Sequence, residues 1–463
     1  MEQRNIWGHM MSQGTDLHSP FLNDPVIDAI MGGEGLVLRM MNFEVALARV
    51  EARLGIIPQD AAIIITAASK PHLLNMSKLA EDAAIAGNPA IPFVKMLTEL
   101  IPGDSARYVH WGATSQDVMD TALILQLREV INLFRIRLTD LGSVLARLAE
   151  SQRAQPIVAR TLLQQALPTT FGAKVAGWII PLIRHLHRLD GLEPRLLVVQ
   201  LGGAAGTRAA FGGSGEMVMQ ALAIELGLGA APIPWHTTRD AITEFACICG
   251  MICGTLGKIA QDIILLMQTE VGEVLEGAEP DKGGSSTLPH KRNPVASHAM
   301  LAIARMVPGL VSTMLSAQVQ AHERGAGDWP AEWVTLPALA AHTGASLKHA
   351  LAMMPGLEIR PQRMRANMES TNGLMMSESV MMALAKHIGR GAAHHIVELA
   401  SRKAVLEGQH LREVMAEDPA VSTYLDGAAM ASAFEPGHYL GEAMNFADVA
   451  VSAWNMHLAG VRT

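Results

Sequence analysis

The chain has 463 residues, of which 49% are hydrophobic but only 4% are Phe, Trp or Tyr, so an aliphatic core is expected. That mixture favours helices, because β-rich domains rely more on aromatic and β-branched residues. A formal net charge of −8 argues against nucleic acid or an anionic membrane surface as the main partner. At roughly 100–200 residues per domain, the length suggests two to four structural units.

The mean hydropathy of +0.22 raises the question of a membrane protein. The longest uncharged stretch, Met306 to His322, contains Pro308 and falls short of the roughly 20 apolar residues that a membrane span needs. The first residues contain no apolar signal-peptide stretch. We therefore expect a cytoplasmic protein without membrane contact, with its apolar helices buried between subunits and its cysteines reduced: Cys247, Cys249 and Cys253.

The N-terminal part of the chain, residues 1–109, has the pattern of short helices. Gly55 and Pro58 end the first of them, as expected of residues that follow a helix. The predicted helices are Glu34–Leu54, Gln59–Ser69, Leu73–Ala86 and Pro92–Leu100.

The middle of the chain, residues 110–360, is dominated by long helical seams, in which apolar residues alternate in steps of three and four. The first seam comprises Ile124, Leu127, Ile131, Phe134, Leu138, Leu141, Leu145 and Leu148. The second comprises Phe245, Cys249, Ile252, Leu256, Ile259, Ile263 and Leu266, and the third Met300, Ile303, Val307, Leu310, Met314 and Ala317. Residues beside the first two seams are also apolar, which favours helices buried on several faces.

The last part, residues 361–463, again predicts short helices, interrupted at glycines and at Pro436-Gly437. No run of alternating strand residues is evident. The prediction is therefore an all-α fold in three regions: an N-terminal helical domain (1–109), a central long-helix bundle domain (110–360) and a C-terminal helical domain (361–463).

The segment most suggestive of chemistry is Gly283-Gly284-Ser285-Ser286-Thr287-Leu288-Pro289-His290-Lys291-Arg292-Asn293-Pro294. Its glycines allow unusual backbone angles, its serines supply small hydroxyls, and Lys291 precedes a predicted long helix. Backbone amides, a helix N-terminus and a lysine together favour an anion site.

This segment resembles the signature of the fumarase/aspartase superfamily, Gly-Ser-Ser-x-x-Pro-x-Lys-x-Asn, except that Leu288 stands where Met is usual. The segment His110-Trp111-Gly112-Ala113-Thr114-Ser115-Gln116-Asp117 resembles the second region of the superfamily, as seen in adenylosuccinate lyases. The segment Arg160-Thr161-Leu162-Leu163-Gln164-Gln165-Ala166 resembles the third, but Leu162 occupies the position of the acid His.

That departure points to one branch. The stretch 322–337 is similar to the corresponding segment of 3-carboxy-cis,cis-muconate cycloisomerases, which also lack the His. The resemblance covers most of the chain, while residues 1–25 are less familiar. It implies intramolecular addition of a carboxylate across a C=C of a 3-carboxymuconate-like polycarboxylate, giving a lactone, in the catabolism of aromatic acids.

The resemblance also implies roles for individual residues. Ser285 matches the catalytic base/acid, Lys291 would stabilise negative charge, and His110 is the best remaining proton carrier, since its reference pKa lies near 6.5. The predicted substrate-binding residues are Thr114, Ser115, Gln164, Ser286, Asn293 and Arg324. The resemblance implies a homotetramer whose long helices form a shared core, with each active site built from three subunits.

Two alternatives stay open. The same site could serve a C–N lyase or an epimerase acting α to a carboxylate of an aminodicarboxylate such as iminodisuccinate, because Leu162 departs from the usual pattern. The chain could also be a helical scaffold without activity, although Ser285, Lys291 and Asn293 weigh against that. No metal or organic cofactor is expected in either enzymatic case.

Overall fold

A computed structural model of the chain describes residues 17–277, 283, 288 and 290–460. Helices dominate these residues. In chain order they are α1 (Ser19–Leu22), α2 (Pro25–Met31), α3 (Gly33–Arg53), α4 (Gln59–Ala68), α5 (Met76–Ala86), α6 (Ala90–Leu100), α7 (Ser115–Ser151), α8 (Phe171–Leu196), α9 (Gly215–Leu226), α10 (Asp240–Met267), α11 (Val295–Ala317), α12 (Asp328–Met353), α13 (Pro361–Glu369), α14 (Ser377–Ile388), α15 (Arg390–Glu407), α16 (Leu411–Glu417), α17 (Pro419–Ser422), α18 (Gly427–Ala433) and α19 (Ala443–Leu458).

Short strands accompany the helices. Strands β1 (Pro156–Thr161) and β2 (Gln164–Thr170) form an antiparallel hairpin, and the remaining strands pair in twos. These are β3 (Val198–Val199) with β4 (Gly229–Ala230), parallel, and β5 (Val274–Leu275) with β6 (Glu358–Ile359), antiparallel.

The chain divides into two compact units. The first comprises the described parts of Met1–Leu138, His185–Gly257 and Ala299–His349. Its core is one cluster of buried side chains, which includes Phe43, Leu47, Phe93 and Phe211. The rings of Phe134 in α7 and Phe245 in α10 stack at 6.2 Å, which joins two of the predicted seams.

The second unit comprises Thr139–Arg184 and the described parts of Lys258–His298 and Ala350–Thr463. Within it, the Trp178 indole donates a hydrogen bond of 2.8 Å to Asp262, which joins α8 to α10. The ring of Trp454 packs so closely on α7 that a Cβ at Gly142 would lie 2.1 Å from it. Only glycine therefore allows α19 to approach α7 at this point.

The predicted long helices are confirmed as α7, α10 and α11, and nearly all seam residues are buried. By length and composition, α10 and α11 could each also cross a membrane. Charged residues such as Lys258 and Arg305 interrupt their apolar runs, so the longest uncharged stretch covers only the second half of α11. Half of the most apolar window of α10 is buried inside the chain, but only 28% of that of α11. The chain thus leaves part of an apolar helix uncovered, including Met306 and Leu315.

The all-α fold class is confirmed, but the expectation that the chain contains no strands was wrong. The sequence did not predict the hairpin because its turn consists of Leu162 and Leu163, whereas two-residue turns usually contain Asn or Gly. Neither strand alternates strictly between buried and exposed residues. The three-region division remains a prediction.

Candidate active site

The loop that precedes α7 carries the predicted substrate-binding residues Thr114 and Ser115. Its backbone turns at His110 and Gly112, where φ is 59° and 71°. A Cβ at Gly112 would lie 2.6 Å from the ring of Phe211, so only glycine fits this turn. The chain then enters α7 at Ser115, which places both hydroxyls at a helix N-terminus, where the helix dipole favours an anion.

The buried carboxylate of Asp117, in the first turn of α7, holds this loop in place. Its Oδ1 accepts hydrogen bonds from Gly202 N (2.8 Å) and His236 Nε2 (2.7 Å). Its Oδ2 accepts from Gly203 N (2.8 Å) and Thr114 N (3.0 Å). The bond to Thr114 is the return half of a capping box, in which a side chain in the first turn reaches back to the N-cap. This role of Asp117 and the involvement of His236 were not evident from the sequence.

Arg324 lies beside the Thr114 hydroxyl. Its Nη2 is 3.3 Å from Thr114 Oγ1 and 3.4 Å from the Ala204 carbonyl oxygen. The Nε atom is buried and has no hydrogen-bond partner among the described residues. A guanidinium edge with an unused N–H beside a hydroxyl is suited to a substrate carboxylate, because Arg binds carboxylates with two parallel N–H groups.

His110 makes an ion pair that the sequence analysis did not predict. Its Nδ1 lies 2.6 Å from Oε1 of Glu44, a buried residue of α3. Burial disfavours the charged imidazole, but the charge and hydrogen bond of Glu44, together with the charge of Asp117, outweigh burial and raise the pKa of His110. His110 therefore holds a proton more readily than an ordinary histidine.

A buried charge network supports the segment that follows Arg324. The Arg239 guanidinium binds both carboxylate oxygens of Asp120, at 2.8 and 3.1 Å, and both of Glu332, at 3.0 and 2.5 Å. The Trp329 indole donates to Asp120 at 3.3 Å. These contacts connect α7 and α12 to the residue that precedes α10, so the stretch 322–337 contributes structural residues in addition to Arg324. Nothing in the spacing of Arg239 along the sequence indicated this role.

In the second unit, Gln164 lies at the start of β2, paired with Thr161 across the hairpin. The turn between them consists of Leu162 and Leu163, with φ of 48° and 63°. Their side chains are 96% and 74% exposed within the chain. A positive φ is sterically unfavourable for bulky residues. The tip of the hairpin therefore combines backbone strain with two exposed apolar side chains.

The described end of the signature segment is ordered by backbone hydrogen bonds. Lys291 N donates to Leu288 O at 3.0 Å, and Asn293 N donates to Gly283 O at 3.1 Å. The side chain of Lys291 is exposed within the chain. Two predicted site residues lie outside the described residues: Ser285 and Ser286.

The anion site predicted at the start of α11 is already filled by a protein carboxylate. Glu276 accepts hydrogen bonds from Ala296 N (3.1 Å) and Ser297 N (2.9 Å). Arg292 donates to the Glu276 carbonyl oxygen at 2.5 Å and pairs with Glu358 at 2.7 Å. The first amides of α11 are therefore occupied, and this part of the prediction was wrong. Glu276 was missed because its partners lie some twenty residues further along the chain.

The predicted residues divide between the units. The first contains His110, Thr114, Ser115 and Arg324, and the second contains Gln164, Lys291 and Asn293. Within the first unit, Thr114 and Arg324 are in contact, whereas His110 pairs with Glu44. Among the described residues, no three His, Cys, Asp or Glu side chains group as metal ligands.

Comparison with known proteins assigns the chain to a family. A family model described as lyase matches residues 27–309, and the model of the adenylosuccinate lyase C-terminus matches residues 373–450. The chain belongs to the fumarase/aspartase superfamily. Among its superfamily relatives, the 3-carboxy-cis,cis-muconate cycloisomerase of Pseudomonas aeruginosa is 48% identical over 427 residues, which cover 92% of this chain and 93% of that protein.

Two further superfamily members give the same result. The enzyme of the same name from Acinetobacter baylyi is 43% identical over 92% of this chain and 95% of its own length. The crystal structure of the 3-carboxy-cis,cis-muconate lactonizing enzyme from Pseudomonas putida superposes with a TM-score of 0.92 at 42% identity. That match covers 96% of this chain and 100% of the other.

Proposed function

We propose that this chain is a 3-carboxy-cis,cis-muconate cycloisomerase. The observation that carries the proposal is 48% identity over nearly the whole length to an enzyme of that name. The contact between Thr114 and Arg324 supports it, because it brings a hydroxyl and a guanidinium to the same place, as recognition of a polycarboxylate requires.

The chemistry explains why Leu162 is tolerated. Lactone formation adds one substrate carboxylate oxygen across a C=C, leaves charge on the neighbouring carboxylate as an aci-carboxylate, and then adds one proton to carbon. In the reverse direction the leaving group is a carboxylate, whose reference pKa is about 4, so it departs without a proton. An amine or hydroxide leaving group would need an acid, which a leucine cannot supply.

Each predicted residue has a role in this scheme. The Ser285 hydroxyl gives its proton to carbon, and His110 returns a proton to the resulting alkoxide. Lys291 and Asn293 stabilise the negative charge that develops on the aci-carboxylate, where preorganised donors contribute most. A further carboxylate binds to the hydroxyls of Thr114 and Ser115, to the first amides of α7 and to Arg324. Gln164 and Ser286 complete the substrate contacts, and the scheme uses neither metal nor organic cofactor.

The chain works as a homotetramer in the cytoplasm, with each active site shared by three copies. The uncovered apolar part of α11 supports this assembly, since a soluble protein seldom leaves a large apolar patch exposed. The exposed tip of the β1–β2 hairpin, at Leu162 and Leu163, gives a second apolar surface for a neighbouring copy to cover. Sedimentation of the purified protein tests the state, and a stable monomer would contradict it.

A substrate panel tests the activity. The purified protein is incubated with 3-carboxy-cis,cis-muconate and, separately, with aminodicarboxylates including iminodisuccinate. We expect loss of the conjugated diene absorbance only with the muconate. Racemisation, or release of ammonia or amine, with the muconate left intact would favour the lyase or epimerase instead. No reaction with any substrate would favour a scaffold.

A further inference from the structure

The ion pair between His110 and Glu44 joins two segments that are far apart in sequence. Glu44 is 2% exposed, and its Oε1 lies 2.6 Å from His110 Nδ1. An ionised carboxylate can accept hydrogen bonds but cannot donate them. The hydrogen in this contact is therefore on Nδ1 of His110. The Nε2 atom is thereby left as the ring nitrogen that can gain and lose a proton.

A second carboxyl group lies on the same helix, two turns further along. Glu51 is 0% exposed, and neither of its oxygens has a hydrogen-bond partner among the described residues. Burial, and then the charge of Glu44, raise the pKa of Glu51 to about 9. Glu51 is therefore neutral at pH 7, and of the two carboxyl groups only Glu44 acts on the pKa of His110.

The backbone also constrains His110. Its φ of 59° is costly for a residue with a side chain, and such a conformation persists only where the surroundings enforce it. The neighbouring Gly112 turn against Phe211 and the Asp117 contacts with Thr114 supply that enforcement. The imidazole is thus held at both ends, by the loop backbone and by Glu44.

From this geometry we propose that Glu44 is a positioning residue for His110, which fixes the Nδ1–H tautomer and keeps Nε2 as the proton-carrying atom. The inference rests on the proposed function, because it assumes that His110 supplies protons during turnover. Glu51 takes no part in the transfer, since it is uncharged and Glu44 alone accepts the hydrogen bond.

The proton transfer balances without a further reactant. The Nε2–H bond of the imidazolium breaks, and the proton forms an O–H bond with the alkoxide of the proposed mechanism. The ring becomes neutral and keeps its Nδ1–H bond to Glu44. A proton from water then recharges Nε2. The charged groups that bear on the imidazole are Glu44 from α3 and Asp117 from α7.

The test compares two matched variants on one helix, Glu44→Gln and Glu51→Gln, in the full-length protein. Glu44→Gln keeps a hydrogen-bond acceptor but removes the charge, so the His110 pKa should fall. Each unit of that fall lowers the protonated fraction about tenfold above the pKa. We expect the alkaline limb of the kcat profile to move to lower pH in Glu44→Gln, with KM within about twofold. Glu51→Gln should leave the profile unchanged.

Histidine NMR titration separates this inference from the proposed activity, because it needs no substrate. A lower His110 pKa in Glu44→Gln, with the kcat profile moved to match, supports the positioning role. An unchanged His110 titration, or a lower pKa without effect on kcat, overturns it. An equal shift in Glu51→Gln also overturns it. If wild-type protein does not consume the muconate, the proposed function is wrong, and the positioning role in turnover is wrong as well. The NMR titration still measures the effect of Glu44 on the His110 pKa in that case.

Discussion

Arg324 and Thr114 are 210 positions apart in the chain, yet Arg324 Nη2 lies 3.3 Å from Thr114 Oγ1. The hydroxyl sits at the N-terminus of α7 and the guanidinium precedes α12, so the fold itself creates the pairing. Both residues were singled out from the sequence, but only the structure shows that they meet.

Arg324→Lys should weaken substrate binding, since an ammonium cannot reproduce the planar, two-pronged contact of a guanidinium with a carboxylate. We expect KM to rise roughly ten- to a hundredfold, corresponding to the roughly 1.5–3 kcal/mol typical of a charged hydrogen bond. Steady-state kinetics measures the change. Arg402→Lys, at an exposed position paired with Glu398, is the matched control and should behave as wild type. An unaltered KM in Arg324→Lys would remove Arg324 from the binding site.

Ser285→Ala and Lys291→Ala should each lower turnover by orders of magnitude while leaving the oligomer intact, because both groups act on the reacting atoms in the proposed mechanism. Turnover and sedimentation are measured on the same preparations. Near-normal turnover in either variant would eliminate the role assigned to that residue.

Mixed oligomers test whether sites are shared between copies. Ser285→Ala and His110→Ala proteins are each inactive in the proposed scheme, but a mixed tetramer would contain some sites with neither substitution. Subunits are exchanged by mild denaturation and refolding, and activity is compared with each variant treated alone. Partial recovery is expected, and a mixture as inactive as its components would argue against shared sites.

Substitutions at the tip of the β1–β2 hairpin should raise thermal stability and lower activity. Replacing Leu162 and Leu163 with Asn and Gly supplies residues that suit positive φ, so the local strain of about 1–2 kcal/mol per residue is relieved. We expect a higher thermal midpoint together with lower turnover, because the two apolar side chains are lost from a surface that the proposed tetramer would cover. Calorimetry and kinetics of the double variant test both effects. A higher midpoint with full turnover would mean that the leucines have no functional part.

Glu51 should make the protein less stable as pH rises. Its folded-state pKa of about 9 lies above the usual glutamate pKa of 4.5, so the folded state holds a proton that the unfolded chain releases between these values. Its favourable contribution is complete below pH about 4.5 and is lost progressively up to pH about 9, at no more than about 1.4 kcal/mol per pH unit. Denaturant unfolding of Glu51→Gln should show a weaker decline over this window. Parallel curves for wild type and variant would contradict the buried, neutral state.

Much of the fold was predictable because long apolar seams have one favourable outcome, burial of one helix face against another. The seam residues Leu127, Phe134 and Phe245 are buried as expected. The β1–β2 hairpin was not predictable, since Leu162 and Leu163 give no turn signal. The fold class and the superfamily are confirmed, while the roles of the site residues remain predictions.

The supporting residues of the site were harder to find because their partners are distant in sequence. One signal was present: Met40, Glu44, Leu47 and Glu51 follow steps of four, three and four, which puts two carboxyl groups on a buried helix stripe. A charged residue on such a stripe needs a partner, and His110 is that partner for Glu44. That His110 is the partner of Glu44 could be seen only in the folded structure.

In the proposed reaction, a substrate carboxylate closes the ring and one proton is delivered to carbon. The most direct test is NMR of the product formed from 3-carboxy-cis,cis-muconate by the purified protein in D2O. We predict a closed lactone that carries one deuterium, at the carbon next to a carboxylate. An open-chain product, a lactone without deuterium, or unchanged muconate would rule out this reaction.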